Sequence, residues 1–287
     1  MRDFWAEFRE SRTGLLGAGL TLGCLLAALG ASLLSPQNPY DLTQLALQNS
    51  HMPPTIFQRW AYEPFILGSD GQGRCMLSAI LYGMQISLLV GVVSTALAAV
   101  AGTGLGLVTG YLGGRTDALI MRLADIQLSF PAILVAMVFM VVWGQGLFKI
   151  ILAISIVNWV FYARTARGST LAEREKDYVD AARATGVSPI RIMLSEILPN
   201  VAAPLIVIGT VRIANAILLE ATLSFLGLGV PITEPSLGAL VNQGYQVLFS
   251  GFWWISVLPG LALMIIVLGI NQLGDRLRDV LNPRLKR

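Results

Sequence analysis

Charged residues are scarce in this 287-residue chain, at 13% of the total. An ordinary soluble domain carries about 25%. With 55% hydrophobic residues and a mean hydropathy of +0.67, that deficit excludes a disordered chain and argues against a cytosolic enzyme. No nucleic-acid partner is expected either, because the net charge of +3 reflects where the basic residues collect rather than a binding face. Histidine occurs once, as His51, so a His-based triad or an HExxH zinc site is out of reach. His51 itself reads as a solvated loop residue. The two cysteines, Cys24 and Cys75, each lack a CxxC neighbour, which excludes a zinc or thioredoxin-like site. Cys24 sits in an apolar run and reads as a small packing residue. No lysine follows a glycine and no GxGxxG occurs, so neither a Walker A loop nor a dinucleotide fingerprint is present. The chain is therefore expected to hold no catalytic residue, no metal and no cofactor. Any ATP and Mg would belong to another subunit.

What is present is apolar length. A membrane-spanning helix needs about 20 mostly apolar residues, and Gly14 to Leu34 is free of charge. That run is longer than a signal-peptide h-region of about 7–15 residues and reads as a retained first span. The window Cys75 to Gly114 is long enough for one span plus an amphipathic entry segment, and barely enough for a hairpin. Gly102, Gly104, Gly106 and Gly110 at its end are small residues of the kind that let helices approach closely in lipid. Further spans are predicted at Ile126 to Trp143, Leu147 to Ala163, Pro199 to Glu220 and Trp253 to Gly274. The fold class is all-α integral membrane, with six transmembrane helices.

The basic residues orient these spans. Sixteen of the twenty fall in the N-terminal segment (Arg2, Arg9, Arg12), the loop after the second span (Arg115, Arg122), the loop after the fourth (Arg164, Arg167, Arg174, Lys176, Arg183, Arg191) and the C-terminal segment (Arg276, Arg278, Arg284, Lys286, Arg287). The opposite loops hold Arg59, Arg74 and Lys149, and Arg212 lies within a span. By the positive-inside rule both termini are cytoplasmic, which an even count of six satisfies. The loop from Ser35 to Arg74 then faces outward. Its five prolines, Pro36, Pro39, Pro53, Pro54 and Pro64, disfavour a continuous helix. It reads as a linker, with a docking surface for an extracytoplasmic partner as the sharper alternative.

The cytoplasmic loop at about 164–196 is charged and helix-prone. Acids (Glu173, Glu175, Asp177, Asp180) precede bases (Arg183, Arg191), an order that suits the helix dipole. Tyr178, Ala181, Ala182 and Thr185 recur at helical spacing and make a narrow face that fits a partner's cleft; a solvated surface helix has the same pattern. Gly186 is placed to end the helix with a left-handed cap, and Pro189 turns the chain.

The stretch Asp180-Ala181-Ala182, Gly186 and Leu198-Pro199 resembles the EAA signature of binding-protein-dependent ABC importer permeases. Asp180 stands where glutamate is usual, and Glu196 where isoleucine is common. Further blocks at 67–91, 110–131, 220–229, 253–260 and 271–287 are similar to the dipeptide/oligopeptide permease C-type subunits, with Cys75 in place of the family's aspartate. The resemblance covers almost the whole chain. It implies the type I ABC importer permease fold, with residues 1–74 as an N-terminal segment, first span and outer loop, and 75–287 as the transmembrane domain. It also implies a homologous second permease, two ABC ATPase subunits carrying ATP and Mg, an extracytoplasmic substrate-binding protein, a peptide substrate and a bacterial cytoplasmic (inner) membrane. Tyr178, Asp180, Ala181, Ala182 and Gly186 become the candidates for the ATPase contact. Nickel, opine, glutathione and antimicrobial-peptide importers share these blocks and remain alternative cargoes, and a membrane scaffold without transport is a distant alternative.

Two charges lie inside the fifth predicted span, Arg212 and Glu220. An arginine at bilayer depth costs roughly 2.5–3.5 kcal/mol by insertion scales. These residues are candidates for the translocation pathway or for contact with the second permease; structural pairing with a carboxylate or helix carbonyls is equally open for Arg212. Arg122 and Asp125 are at i, i+3, a spacing that allows a structural pair.

Overall fold

The computed structural model describes residues 8–9, 11–41, 43, 45–55, 65–231 and 233–281. Arg2, Arg59, Pro64, Arg284, Lys286 and Arg287 lie outside them. The described residues form a helical bundle: α1 (Arg12–Leu29), α2 (Met76–Leu112), α3 (Gly114–Leu128), α4 (Ala132–Trp143), α5 (Leu147–Glu173), α6 (Asp177–Ala184), α7 (Leu198–Phe225), α8 (Leu237–Gln246) and α9 (Trp254–Leu281). Five helical stretches are long and apolar enough to cross a bilayer, and the bent pair α3–α4 makes a sixth crossing if counted as one span.

α1 starts at Ser11, whose hydroxyl accepts a hydrogen bond from the Gly14 N–H at 3.1 Å. It packs on α9 through small residues. A Cβ at Gly17 would lie 2.7 Å from the Leu273 backbone nitrogen, and one at Gly269 3.0 Å from the Leu20 Cβ. Cys24 and Ala28 face the same core, while Leu16, Leu22, Leu26 and Leu29 point outward. Small residues inward and leucines outward is the arrangement a lipid-facing helix adopts.

The window 75–114 is neither a hairpin nor a span with a separate entry piece. It is one helix of 37 residues, about 55 Å long at 1.5 Å per residue. It packs along α5, and three of the four glycines noted in the sequence explain how. A Cβ at Gly102 would sit 2.3 Å from the Trp159 carbonyl oxygen, one at Gly106 2.5 Å from that of Ala163, and one at Gly110 2.9 Å from that of Arg167. Gly104 points to open space.

The third predicted span is corrected more strongly. Ile126 to Trp143 is not one helix, because α3 and α4 meet at 91°. Pro131 disfavours a helical conformation at Phe130, and the Ser129 hydroxyl closes α3 by donating to the Asp125 carbonyl at 2.9 Å. α4 alone has 12 residues, about 18 Å, too short to cross the roughly 30 Å hydrocarbon layer. α3 is clasped to α5 instead. Arg167 Nη2 donates to Asp117 Oδ2 at 2.6 Å, Arg164 pairs with Asp125, and Trp159 Nε1 donates to Gln127 Oε1 at 2.8 Å. Asp125 thus bonds Arg164 rather than Arg122. α5 runs ten residues past its predicted end, to Glu173.

At the other end of α2, the described residues just before it are held by buried polar contacts. Arg74 is 1% exposed and Asp70 is 0% exposed, and Arg74 Nε donates to Asp70 Oδ2 at 2.6 Å. Asp70 Oδ1 accepts the N–H groups of Gln72 and Arg74, each at 2.9 Å. Trp254 Nε1 donates to the Ser69 carbonyl at 3.1 Å, joining the loop to α9. His51 is not free in solvent: at φ 59° it stacks on Phe252 with ring centroids 4.7 Å apart.

Candidate functional site

The segment joining α5 to α7 folds against the opposite end of the bundle. Lys176 is extended at φ −89°, ψ 147° and precedes α6, which has Asp177 and Asp180 in its first turn and Arg183 in its last. This charge order complements the helix dipole. Val179 is fully buried in an apolar cluster with Leu107, Ile192, Met193, Ile197 and Val201, and Tyr178 and Ala182 pack on that cluster. Two of the five residues nominated from the sequence therefore face their own bundle. Asp180, Ala181 and Gly186 are exposed, with Ala184 and Thr185 beside them. The outward face is thus Asp180, Ala181, Ala184 and Thr185. The Tyr178-to-Thr185 face splits because Tyr178 and Ala182 turn inward.

Polar contacts tie α6 to two helices. Tyr178 Oη donates to Glu173 Oε2 at 2.8 Å, at the end of α5. Burial, and then the carboxylate of Glu173, push the Tyr178 phenol up to about 12. Arg183 Nη1 pairs with Asp180 Oδ1 at 2.9 Å, and its guanidinium lies 5.1 Å from the Tyr111 ring at the end of α2. Arg174 Nη1 donates to the Gly110 carbonyl at 2.9 Å.

The left-handed cap expected at Gly186 is present, with φ +77°. The Val187 N–H bonds the Ala182 carbonyl at 3.1 Å and the Gly186 N–H bonds that of Arg183 at 3.0 Å, the paired bonds of a Schellman end. Pro189 starts a new turn that passes through a π-helical segment, Ile192–Ile197, into α7.

The two buried charges of α7 have separate surroundings. Glu220 is 0% exposed. It accepts hydrogen bonds from Ser87 Oγ of α2 at 2.9 Å, from Ser224 Oγ at 2.7 Å, and from the Ser236 hydroxyl at the start of α8. With no open surface, it joins three helices. Arg212 is half-buried, with its guanidinium carbon 3.9 Å from the Phe161 ring centroid. Among the described residues it has no carboxylate partner.

Sequence reasoning missed Val179, which carries no signal beyond being the one branched aliphatic residue in a polar helix. It also missed the Asp70–Arg74 pair, whose i, i+4 spacing was visible, and the serines around Glu220, which lie far apart in sequence. Among the described residues, no three of His, Cys, Asp and Glu converge where a metal ion could be held.

A long-helix bundle with a short capped helix slung beneath it defines a class, the type I importer permease fold. One solved structure of this fold is an inward-facing conformation of the MetNI methionine ABC transporter. It aligns with a TM-score of 0.58 at 22% identity, covering 72% of this chain and 98% of that one. The sequence carries the assignment further. The family described as binding-protein-dependent transport system inner membrane component matches residues 102–287, and the chain belongs to it. The dipeptide transport system permease protein DppC of Haemophilus influenzae is 36% identical over 286 residues, covering 100% of this chain and 95% of its own. The di/tripeptide transport system permease protein DppC of Pseudomonas aeruginosa is also 36% identical, covering 100% and 93%. The chain is a multi-pass inner-membrane component of a binding-protein-dependent transport system.

Proposed function

We propose that this chain is a permease subunit of an ATP-driven importer of di- and oligopeptides. It works with a homologous second permease, two ATPase subunits and an extracytoplasmic binding protein. The single observation that carries the coupling role is α6, a short helix capped at Gly186, seated on Val179 and presenting small side chains outward. Relatives named for dipeptide and di/tripeptide transport support the cargo. The distribution of arginine and lysine supports cytoplasmic termini and an outward-facing 35–74 loop. Residues 75–287 act as the transmembrane domain, and 1–74 add a span and the outer loop.

In this reading the chain makes and breaks no bond. ATP and Mg are bound by the ATPases, whose closure pushes on the face of Asp180, Ala181, Ala184 and Thr185. α6 cannot move alone. Glu173 links it to α5, Tyr111 links it to α2, and the Val179 cluster links it to the base of α7. A push is therefore delivered to three spans at once, and the two permeases rock between inward-open and outward-open states.

The test is co-purification of the ATPases with Ala181→Glu, which places a charge on the outward face without disturbing the buried one. The variant should insert normally and lose both the ATPases and uptake. Full retention of complex and transport would refute the coupling role. Ala182→Glu is the companion: because Ala182 packs inward, it should also lower the thermal stability of the isolated chain.

A further inference from the structure

A cavity of about 460 Å³ opens between α3 and α5, lined by Met121, Asp125, Arg164 and Arg167. Counted from Leu147, Arg164 and Arg167 lie about 26 and about 30 Å along α5 at 1.5 Å per residue. The hydrocarbon layer is roughly 30 Å thick, so the cavity sits where the headgroups begin, at the end of the bundle that carries α6. Its arginines are only partly engaged. Arg164 gives Nη2 to Asp125, and Arg167 gives Nε and Nη2 to Asp117. Arg164 Nε and Nη1 and Arg167 Nη1 have no acceptor among the described residues. Arg122, one residue after Met121, is exposed and has no carboxylate partner among the described residues. Three guanidiniums against two carboxylates leave one positive charge at the cavity. Free guanidinium edges are donors that suit phosphate oxygens.

The surface beside the cavity narrows the ligand. Leu119, Leu123 and Ile126 are exposed at helical spacing on α3, and Arg115 and Arg122, also exposed, flank them. Arginine beside leucine on one face of a short helix is the pattern of an element lying in a membrane interface. A soluble phosphate has no use for the leucines. At this depth lipid is the surrounding solvent, so a spare arginine meets phosphate before it meets a partner's carboxylate. We infer that the cavity between α3 and α5 binds the headgroup of an anionic phospholipid from the inner leaflet. Its phosphate lies on Arg122, Arg164 and Arg167, and its chains run along Leu119, Leu123 and Ile126. Basic pockets between spans on the cytoplasmic side suit such headgroups. That the leaflet is the inner one rests on the orientation proposed above. A lipid held there touches both helices and braces the elbow at Pro131 against α5.

The experiment uses the purified permease–ATPase complex in mild detergent, stripped of lipid. Dioleoylphosphatidylglycerol is the probe and dioleoylphosphatidylcholine its zwitterionic control, and native mass spectrometry counts the bound lipids. The wild type should hold phosphatidylglycerol about tenfold more tightly than phosphatidylcholine. Arg122→Glu, at an exposed position with no ion pair to disturb, should weaken that binding about tenfold or more. Arg122→Lys should keep it. Arg191→Glu, at an exposed arginine outside the cavity lining, should leave it unchanged. Equal binding of the two lipids, full binding in Arg122→Glu, or an equal loss in Arg191→Glu would overturn the site. Glycerol 3-phosphate at millimolar concentration should not displace the lipid; displacement would make the ligand a soluble phosphate. Loss of a subunit from Arg122→Glu while the lipid stays bound would assign the patch to a protein contact instead. Labelling of Arg122→Cys by an impermeant maleimide from the outer face of spheroplasts would refute the orientation, and the inner-leaflet assignment with it, even where the lipid binds normally.

Discussion

The seam between α2 and α5 gives a sharp test, because two glycines only two residues apart face opposite fates. At Gly106 an added methyl would lie 2.5 Å from the Ala163 carbonyl oxygen and 2.6 Å from the Ala166 Cβ. Ordinary contact begins near 3.4 Å, so the helices must part by about 1 Å there. A gap of that size forfeits a quarter to a half of each dispersion contact it opens, and Gly102 and Gly110 on either side lose their close approach with it. Forcing extra atoms into a packed core costs about 1–3 kcal/mol. Gly104 meets nothing within 4 Å, so Gly104→Ala keeps the seam and gains up to about 1 kcal/mol of helix propensity. That gain is common to both substitutions, so the two variants should differ by the packing cost alone, about 1–3 kcal/mol. In a thermal unfolding assay of the purified chain in mild detergent, Gly106→Ala should melt about 2 °C or more below Gly104→Ala. Equal melting temperatures would mean that α2 and α5 are not held by glycine contact, and the packing account of the bundle would be wrong.

Glu220→Ala would leave three serine hydroxyls without their acceptor. It should destabilise the chain by about 3 kcal/mol or more, while Glu220→Gln, which keeps an acceptor oxygen, should cost less; melting temperatures of the two variants check this. Gly186→Ala places a side chain at φ +77°, a conformation that costs about 1–2 kcal/mol outside glycine. Uptake should fall while the amount inserted in the membrane is unchanged, and Gly186→Asn should be milder. Burial and the Glu173 carboxylate raise the Tyr178 phenol to about 12. The folded chain then holds that proton more tightly than the unfolded one. Its contribution is complete below pH 10 and is lost as the pH climbs through about 12. The ultraviolet difference titration between wild type and Tyr178→Phe should place the missing tyrosinate signal near 12, and a signal near 10 would show that the Tyr178–Glu173 bond does not form.

How much of this was legible depended on the range of the interaction. Apolar length located the long helices. The left-handed cap at Gly186 was readable because it needs one residue type at one position. The elbow at Pro131 was missed because a charge-free run reads alike whether straight or broken, although the proline stood in plain view. The inward packing of Tyr178 and Ala182 was not legible, because such residues fit a cleft on a partner and a cleft on their own bundle equally well. Only the position of Val179 decides between them. The serines around Glu220 come from residues 87, 224 and 236, and no local pattern could have brought them together. Arg212 stood out as a charge in a span, yet Phe161 became its neighbour only when α5 and α7 were packed.

The length of α2 has a consequence for where force enters the membrane. Even tilted by about 20°, a helix of about 55 Å overtops a bilayer of about 40–45 Å including its headgroups. Tyr111 and Gly110 sit at its very tip and grip Arg183 and Arg174. A helix of that length can stand clear of the headgroups at the end that carries α6. Bilayer thickness then acts on the glycine seam, whereas ionic strength acts on the charged grip at the tip. The two environments can be varied independently to find which end of the machine limits transport.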